Sequence, residues 1–146
     1  MIVLTRISLI NLKNNRMDKL EYIPGDLAFH YIPKTIIKKY VKVYVCSTQN
    51  ALSLEDMDGN LYDYIGELYP IPLTPEILEK NGWKRDGKWY CLSTKRAYLY
   101  TIQDTGQPDE FLICAGEGKH NLTSVSFVHQ LQHFLFGLNL NSEMEV

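Results

Sequence analysis

The stretch YPIPLTPEILEKNGWKRDGKWY at residues 69–90 decides how the second half of the chain folds. Its first prolines fix φ and hold the residues before them extended, so the stretch begins as an extended lead-in. Thr74 is suited to cap a helix, because its hydroxyl accepts a hydrogen bond from a free N–H of the first turn. Pro75 then takes the first helical position, where no N–H is needed, and Gly82 can adopt the positive φ that ends a helix. These residues predict a short helix over 74–81.

A tight hairpin is predicted directly after this helix. Asp86 and Gly87 form a two-residue turn signal, and an aromatic residue lies on each arm, Trp83 and Trp89. A helix of barely two turns is not stable alone in water, so tertiary packing has to hold it. The stretch therefore belongs to a packed unit with the residues that follow.

Those residues predict an antiparallel meander and a longer helix. Strands are expected at residues 88–92, 97–102 and 110–115, separated by polar loops. Residues 116–121 are expected to form a loop, after which Thr123 or Ser124 caps a helix. Apolar residues recur at helical spacing over residues 125–138. The final SEMEV is expected to add an edge strand or to fray.

The first half of the chain has the pattern of short strands. Val41, Val43 and Val45 alternate with other residues, which is the period of a half-buried strand. Turn signals at residues 24–26 and 58–59 separate this strand from its neighbours. Several short strands with such spacing predict a small, strongly bent sheet of the SH3-like barrel type. The fold class predicted for the chain is α+β: an SH3-like antiparallel β-barrel, then an antiparallel meander packed with a short helix and a C-terminal helix.

The pattern predicts three parts along the chain: an N-terminal extension (1–17), a small β-barrel-like module (18–69) and an α+β module (70–146). The first 16 residues contain an apolar run like that of a signal peptide. Arg6 interrupts this run, and no small-residue cleavage site follows it. Residues 1–16 are therefore expected to be an upstream extension that contributes little.

Composition and charge are those of an ordinary globular protein. Apolar residues make up 45% and charged residues 22% of the 146 residues. A net charge of -2 gives no overall attraction to nucleic acid or to acidic membranes. The three cysteines are widely spaced and form no CxxC pair, which is typical of reduced thiols in a cytoplasmic protein. We expect a cytoplasmic protein without a cofactor and without membrane contact.

No catalytic set can be assembled from the sequence, and the protein is predicted not to be an enzyme. His129 and His133 lie four residues apart on the predicted last helix, a spacing that can chelate zinc. Gln130 replaces the glutamate that acts as base in the HExxH motif, and no third ligand follows. A helix with two polar histidines beside its apolar stripe explains the same residues, so a metal-dependent hydrolase ranks last.

Two further patterns have simpler explanations than ligand binding. Asp56, Asp58, Asn60 and Glu67 have the spacing of ligands in a calcium loop, but Leu61 replaces its required glycine. A hairpin turn accounts for these residues equally well. The glycine-containing loop at residues 116–119 lacks the spacing of a phosphate-binding P-loop. No metal site is therefore predicted.

Lysines and tyrosines are interleaved in one stretch, which gives the strongest indication of nucleic-acid binding. The candidate contact residues are Lys34, Lys38, Lys39, Lys42, Tyr40 and Tyr44. Small barrels bind single strands with aromatic side chains beside a basic groove. A lysine-rich edge that prevents aggregation is an equally ordinary explanation. The ten tyrosines and two tryptophans also fit a protein-binding surface, since such rings are enriched at interfaces.

Two segments together resemble a known family. PIPLTPEILEKNGW at residues 70–83 resembles the pattern PIPLTxEILxKxGF, and VSFVHQLQHFLFGLNL at residues 125–140 resembles a C-terminal VHQLQNLYFALTG helix. The lead-in YIPGDLAFHY resembles the LRIGNLV opening of the same proteins. The chain is thus similar, over most of residues 18–146, to a family of small uncharacterised proteins of gut bacteria, their phages and mobile elements.

The resemblance implies structural roles but no activity, cofactor or catalytic residue. It implies that Gln130 and Gln132 hydrogen-bond exposed backbone near the sheet. His133 stands where the family has Asn, which weakens the zinc hypothesis further. The resemblance also pairs the two segments in one packed unit. The side chains expected to meet there are Ile77, Leu78, Trp83, Trp89, Val128, Leu131 and Leu135.

The sequence and the resemblance together predict a non-enzymatic accessory or protein-interaction protein of a phage or mobile element. It is expected to act in the host cytoplasm with a protein as its partner. The alternative is a weak nucleic-acid-binding module that uses the lysine cluster. The oligomeric state stays open.

Overall fold

The structure is a computed structural model that describes residues 22–46 and 51–146. The predicted α+β class is confirmed, because these residues form two antiparallel sheets and two helices. The expectation for residues 1–16 lies outside the described residues. The elements are β1 (Leu27–Tyr31), β2 (Lys38–Cys46), β3 (Leu52–Asp56), β4 (Leu61–Tyr64), β5 (Tyr69–Pro70), α1 (Pro75–Lys80), β6 (Lys84–Asp86), β7 (Trp89–Ser93), β8 (Tyr98–Gln103), β9 (Phe111–Ala115), β10 (His120–Val125) and α2 (Val128–Gly137).

The chain divides into two compact units, Met1–Ile71 and Pro72–Val146. We call them unit 1 and unit 2. Each contains one of the two five-stranded sheets. Neither helix in the described residues has the length and apolarity that crossing a lipid bilayer requires.

The sheet of unit 1 has the strand order β4-β3-β2-β1-β5 and is open. Among the described residues β4 and β5 do not pair with each other, so the predicted SH3-like barrel is not confirmed. The chemistry of β5 gives a reason for the open edge. This strand has only two residues, and Pro70 has no N–H with which to extend a hydrogen-bonded ladder.

One face of this sheet carries the core of unit 1. Strand alternation places Ala28, Val41 and Leu54 on that face, and each is fully buried. Tyr62 and Tyr64 of β4 pack against the same cluster. Tyr62 accepts or donates a hydrogen bond of 2.6 Å with Nε2 of His30. The alternation predicted for β2 is present at Val41 and Val43, which are both fully buried, and the side chain of Val45 lies outside the described ones.

In unit 2 the predicted start of the short helix, its end and the hairpin turn after it are all present. The Thr74 hydroxyl accepts a hydrogen bond of 3.2 Å from the Ile77 N–H, and Pro75 is the first residue of α1. Gly82 has φ 89° and lies just after the helix. The β6–β7 hairpin turns at Gly87, whose φ is 63°. Local backbone chemistry was sufficient to specify these features.

The remaining strands form a meander in the order β10-β9-β8-β7-β6. Strand β10 was not predicted, since residues 116–121 were expected to be a loop and Thr123 or Ser124 a helix cap. Its burial pattern explains this, because five of its six residues are exposed and give no alternation. The last helix consequently begins later than predicted, at Val128.

The core of unit 2 lies between the meander and the helices. Leu99, Thr101 and Ile113 are fully buried, and so are Leu78 of α1 and Leu131 of α2. Trp83 is 2% exposed. The side chains of Trp83, Leu92 and Leu135 line one cavity, which shows that the hairpin, the sheet and α2 share a core.

The last residues of unit 2 lie beside this cavity and cover a groove formed by α1, α2 and the sheet. Residues 141–146 form neither strand nor helix, and Met144 among them is buried. Asn81 holds one peptide unit of this segment, because its Nδ2 donates to the Glu145 carbonyl and its Oδ1 accepts from the Glu145 N–H, both at 2.8 Å. The final SEMEV thus neither adds an edge strand nor frays, contrary to the prediction.

Trp89 departs from the expected core. Its register partner is Ile102, whereas its neighbour Tyr90 pairs with the buried Thr101. Since successive side chains of a strand point to opposite faces, Trp89 lies on the face away from this core. Its ring contacts that of Tyr100 edge-on at 6.3 Å, and the Lys119 ammonium lies 5.4 Å from its centre. The prediction that Trp89 meets the helices was wrong, because a shift of one residue along a strand places a side chain on the opposite face of the sheet.

Candidate functional site

A patterned face is formed by the β1–β2 hairpin together with β5. The register pairs Phe29 with Tyr40, Tyr31 with Lys38, and Phe29 with Tyr69 on the other side. Side chains of directly paired residues share a face of the sheet. We call this surface the tyrosine–lysine face; its members are Phe29, Tyr31, Lys38, Tyr40, Lys42 and Tyr69.

The aromatic rings of this face contact one another around Phe29. Phe29 is stacked on Tyr69 at 5.5 Å and meets Tyr31 edge-on at 5.6 Å. Tyr40 approaches the same ring at 6.1 Å, and the Lys38 ammonium lies 4.7 Å from its centre. Phe29 is consequently buried, while the rings around it are held in place with their outer surfaces open.

The tyrosines of this region remain partly exposed. Tyr31 is 40%, Tyr40 38% and Tyr44 51% exposed. The register shifts between Val43 and Val45, so that Tyr44 is the additional residue of a β-bulge. Bulges re-aim side chains and are common next to functional surfaces. Tyr44 thus extends the exposed aromatic surface along β2.

The loop at the end of the hairpin exposes isoleucines. Ile36 is 92% and Ile37 58% exposed. The loop is nevertheless ordered by hydrogen bonds. The Ile32 N–H donates to the Ile37 carbonyl at 2.9 Å, and the Thr35 hydroxyl donates to the Ile32 carbonyl at 2.8 Å. The same hydroxyl oxygen accepts from the Ile37 N–H at 3.1 Å. We call residues 32–37 the isoleucine tip.

The four predicted lysines are not brought together. Lys38 and Lys42 lie on the tyrosine–lysine face, and Lys34 is in the isoleucine tip with φ 63°. Lys39 is on the opposite face, where its ammonium lies 3.7 Å from the Asp56 carboxylate and 4.5 Å from the centre of the Tyr62 ring. The two-residue period of a strand separates neighbours in sequence, so a run of lysines does not form one patch.

Acidic residues outnumber the lysines in the described part of unit 1 and offset their positive charge. The described residues of unit 1 contain four lysines and no arginine against six acidic residues. Glu55 is the register partner of Lys42. The Tyr69 hydroxyl donates to the Glu67 carboxylate at 3.0 Å, and this hydrogen bond raises the pKa of Tyr69. A strongly positive groove is therefore not present on this surface.

Three of the four candidate calcium residues form a closed turn. Asp56 accepts hydrogen bonds from the backbone N–H groups of Asp58 and Asn60, at 3.0 and 2.9 Å. The hydrogen bond from the Asn60 N–H is the main reason why the pKa of Asp56 is lowered. These contacts belong to the β3–β4 connection, in which Gly59 has φ 85°. The turn explanation given by the sequence accounts for Asp56, Asp58 and Asn60. Glu67 lies beyond β4, and its carboxylate accepts from the Tyr69 hydroxyl.

The two histidines of α2 do come together. Their rings meet edge-on at 5.7 Å, and His129 also stacks on Phe127. His129 is 6% exposed, and its Nδ1 has no hydrogen-bond partner in the described residues. Burial, with a smaller contribution from His133, lowers the pKa of His129 to about 4. Within residues 22–46 and 51–146, no third His, Cys, Asp or Glu joins the pair in a metal-binding group.

The glutamines between these histidines bond to the backbone, as the resemblance implied. Gln130 Oε1 accepts from the N–H groups of Ser126 and Phe127, at 2.7 and 3.2 Å. It therefore caps the start of α2 directly after β10. Gln132 Nε2 donates to the Ser142 carbonyl at 3.2 Å.

Sequence reasoning included Tyr31 among the tyrosines interleaved with the lysines, but it missed the isoleucine tip and the part of the face formed by Phe29 and Tyr69. The spacing of isoleucines around Pro33 was a usable signal for an apolar loop. The contribution of Tyr69 was not readable, because it depends on pairing between strands far apart in sequence. No family model, curated protein or solved structure matches the chain.

Proposed function

We propose that the protein is a non-enzymatic interaction protein that binds a protein partner through the tyrosine–lysine face and the isoleucine tip. We call the two together the hairpin surface. The observation that supports this most is Ile36, which is almost fully exposed on a loop held by its own hydrogen bonds. An ordered loop that presents an apolar side chain to water resembles the anchor of an interface.

The physical gain from covering this surface is considerable. Removing one fully exposed isoleucine side chain from water contributes about 1.5–3 kcal/mol. The tyrosine rings lose little conformational freedom on binding, because contacts with Phe29 already hold them. Tyrosine is enriched in interfaces, since it combines a large apolar area with a polar end. The surface thus has both the anchor and the ordered surroundings of a binding site.

Charge indicates the chemistry of the partner. The Lys38 ammonium lies 4.7 Å from the centre of the Phe29 ring, so the partner should present an apolar pocket with carboxylates at its rim. Such rim charges mainly raise the association rate and select against wrong partners. The phage or mobile-element origin and the host cytoplasm belong to the same proposal, and their support is the resemblance of residues 70–83 and 125–140.

A matched pair of substitutions tests the proposal. The wild-type chain is used as bait in extracts of its native host, together with Ile36→Asp and Ile65→Asp. Ile65 is 80% exposed in the same unit but lies outside the hairpin surface. A partner retained by the wild type and by Ile65→Asp, and lost with Ile36→Asp, supports the proposal. Equal retention by both variants contradicts it.

Single-stranded nucleic acid is the second candidate, and one observation favours it. Lys38, Tyr40 and Lys42 alternate onto one face of β2, where bases can stack and phosphates can pair. A Lys38→Gln, Lys42→Gln double variant should then weaken binding of an oligonucleotide and reduce the salt dependence of its affinity. Absence of binding at low salt would eliminate this candidate and leave the protein-partner proposal intact.

A further inference from the structure

Strand β4 forms one edge of the sheet of unit 1. Among the described residues it pairs only with β3, so its other side is open. Its residues alternate in exposure: Leu61 and Asp63 are exposed, and the tyrosines that follow each of them are half-buried. Ile65, the next exposed position of this alternation, is 80% exposed. We call residues 61–65 the β4 edge.

The backbone of β4 has hydrogen-bonding groups that point away from β3. The Asp56 N–H donates to the Asn60 carbonyl at 3.0 Å, so these two residues form a hydrogen-bonded pair at the start of the hairpin. Antiparallel strands alternate such pairs with pairs that exchange no hydrogen bonds. The register then places Tyr62 in a bonded pair, and Leu61 and Asp63 in pairs without bonds. The N–H and C=O groups of Leu61 and Asp63 are therefore directed to the open side.

The β4 edge lacks the features that commonly prevent pairing at the edge of a sheet. A lysine, a proline or a β-bulge protects many edge strands. Strand β4 contains none of these, and its register with β3 runs without a shift. Outward backbone groups beside exposed apolar side chains, here those of Leu61 and Ile65, are the arrangement to which an extended peptide adds as a new strand.

The charge around this edge is negative. Residues 51–67 contain no lysine, arginine or histidine, and their five acidic residues are Glu55, Asp56, Asp58, Asp63 and Glu67. Lysines of β2 offset two of these charges. Asp63 lies at the edge itself, where the Ser53 hydroxyl donates to its carboxylate at 3.1 Å and holds it on the exposed face. A strand that pairs with β4 therefore gains from a cation opposite Asp63.

The same carboxylate argues against a second copy of the chain as the occupant. The outward groups of two β4 strands match most fully in the antiparallel register centred on Asp63, which places Leu61 opposite Ile65 of the other copy. In that register two Asp63 carboxylates lie directly opposite each other, and like charges in this position destabilise a sheet. A basic strand has the opposite effect.

We propose that the β4 edge binds an extended, basic segment of a partner protein, which pairs antiparallel with β4 as a sixth strand of the sheet. Its central cation lies opposite Asp63, and apolar side chains on both sides of that cation cover Leu61 and Ile65. The backbone of the segment supplies the hydrogen-bond partners for the outward groups of β4. The hairpin surface requires a partner with carboxylates, so this proposal stands apart from the function proposed above.

Binding of a designed peptide to the full chain tests the proposal. The labelled peptide KVTRTIK consists largely of β-forming residues and carries valine, arginine and isoleucine on one face of its strand. A control peptide has an N-methyl group on the backbone nitrogen of its arginine, which keeps every charge and removes the N–H that would donate to β4. The control peptide should bind about tenfold more weakly than the first. Equal binding of the two peptides overturns the proposal, because attraction between charges alone then explains it.

A reversal of charge tests the position of the cation. Asp63→Lys should weaken binding of KVTRTIK by about fivefold, and the peptide with glutamate in place of arginine should gain affinity for this variant by a similar factor. Asp109→Lys makes the same change of charge at an exposed loop residue of unit 2 and is the matched control. An equal effect of the two substitutions overturns the proposal, since net charge and not position then decides.

Amide hydrogen exchange of the wild-type chain provides a readout that requires no variant. At about 1 mM peptide the Leu61 and Asp63 N–H groups should exchange about tenfold more slowly, whereas the Tyr62 N–H, which already bonds to β3, should change little. Unchanged exchange at Leu61 and Asp63 overturns the proposal. Protection of these N–H groups that rises with protein concentration in the absence of peptide also overturns it, because a second copy then occupies the edge. None of these probes involves the hairpin surface, so a negative result leaves the proposed function untouched.

Discussion

The two units treat apolar side chains at their surfaces in opposite ways. Unit 1 leaves the isoleucine tip and the tyrosines of β1 and β2 exposed, although hydrogen bonds and ring contacts hold them in place. Unit 2 has a groove of comparable character, but its own residues 141–146 lie over it. The difference concerns which apolar side chains remain available at the surface of each unit. Unit 1 keeps ordered apolar side chains in contact with water, whereas unit 2 covers its apolar groove with its own chain.

The largest expected effect tests how tightly α2 is packed in the core of unit 2. Leu131→Ala removes a fully buried side chain from α2. It should lower the free energy of unfolding by about 3 kcal/mol, because the lost burial adds to the cavity left behind. Urea denaturation measures this change. Leu138→Ala, at an exposed leucine near the end of the same helix, is the control and should change it by less than about 0.5 kcal/mol.

The next effect concerns His129 and pH. Its pKa is about 4 in the folded chain, below the ordinary value of 6.5. Below pH 6.5 the unfolded state therefore binds a proton at His129 more readily than the folded state does. The stabilisation by neutral His129 is lost as pH falls from 6.5 towards 4. We expect a loss of about 2 kcal/mol between pH 7 and pH 5.

His129→Gln, which does not titrate in this range, isolates that contribution. Unfolding free energies of wild type and variant at pH 7 and pH 5 give the difference directly. A wild-type pH dependence no steeper than that of the variant would mean that His129 is protonated as readily in the folded chain as in the unfolded one.

A smaller effect concerns the contact between Asn81 and residues 141–146. Asn81→Ala removes the bonds to Glu145 and to the Ile77 carbonyl. The free energy of unfolding should fall by about 1 kcal/mol, since the two bonds to Glu145 are exposed and only the bond to the Ile77 carbonyl is partly buried. Proteolysis within residues 141–146 should accelerate at the same time. If stability falls while proteolysis is unchanged, Asn81 supports α1 and does not hold the segment.

The smallest expected effect is on the exposed surface. Ile36→Ser should change the free energy of unfolding by less than about 0.5 kcal/mol, because the side chain has few contacts to lose. Thermal denaturation beside wild type checks this. A loss above about 1 kcal/mol would show that Ile36 is packed in solution, and the contrast between the units would then disappear.

The sequence predicted those parts of the fold that depend on local backbone chemistry. Thr74, Pro75 and Gly82 determine the limits of α1 through a cap, a fixed φ and a positive φ, and all three are legible from neighbouring residues. Trp89 was misplaced because its face depends on register, which local residues do not specify. The polar strand β10 was missed because an exposed edge strand carries no apolar alternation.

The candidate site was predictable only in part, for the same reason. The tyrosines and lysines of β2 attracted attention as a cluster, but the strand period sends Lys39 to the opposite face and pairs it with Asp56. Phe29 and Tyr69 joined the site through pairing between distant strands. The groove of unit 2 had no sequence signal, because Asn81 contacts the backbone of Glu145, and backbone contacts leave no mark on the sequence of the bound segment.

The short strand β5 has a consequence for how copies of the chain behave in solution. Exposed sheet edges allow molecules to add to one another without limit, which is the route to fibrils. An edge of two residues that ends in Pro70 offers almost no ladder for such growth. In the described part of unit 1, β4 is then the edge from which another strand can extend the sheet. Growth of a filament needs a compatible edge on each side, and in the described part of unit 1 the edge at Pro70 is a poor one.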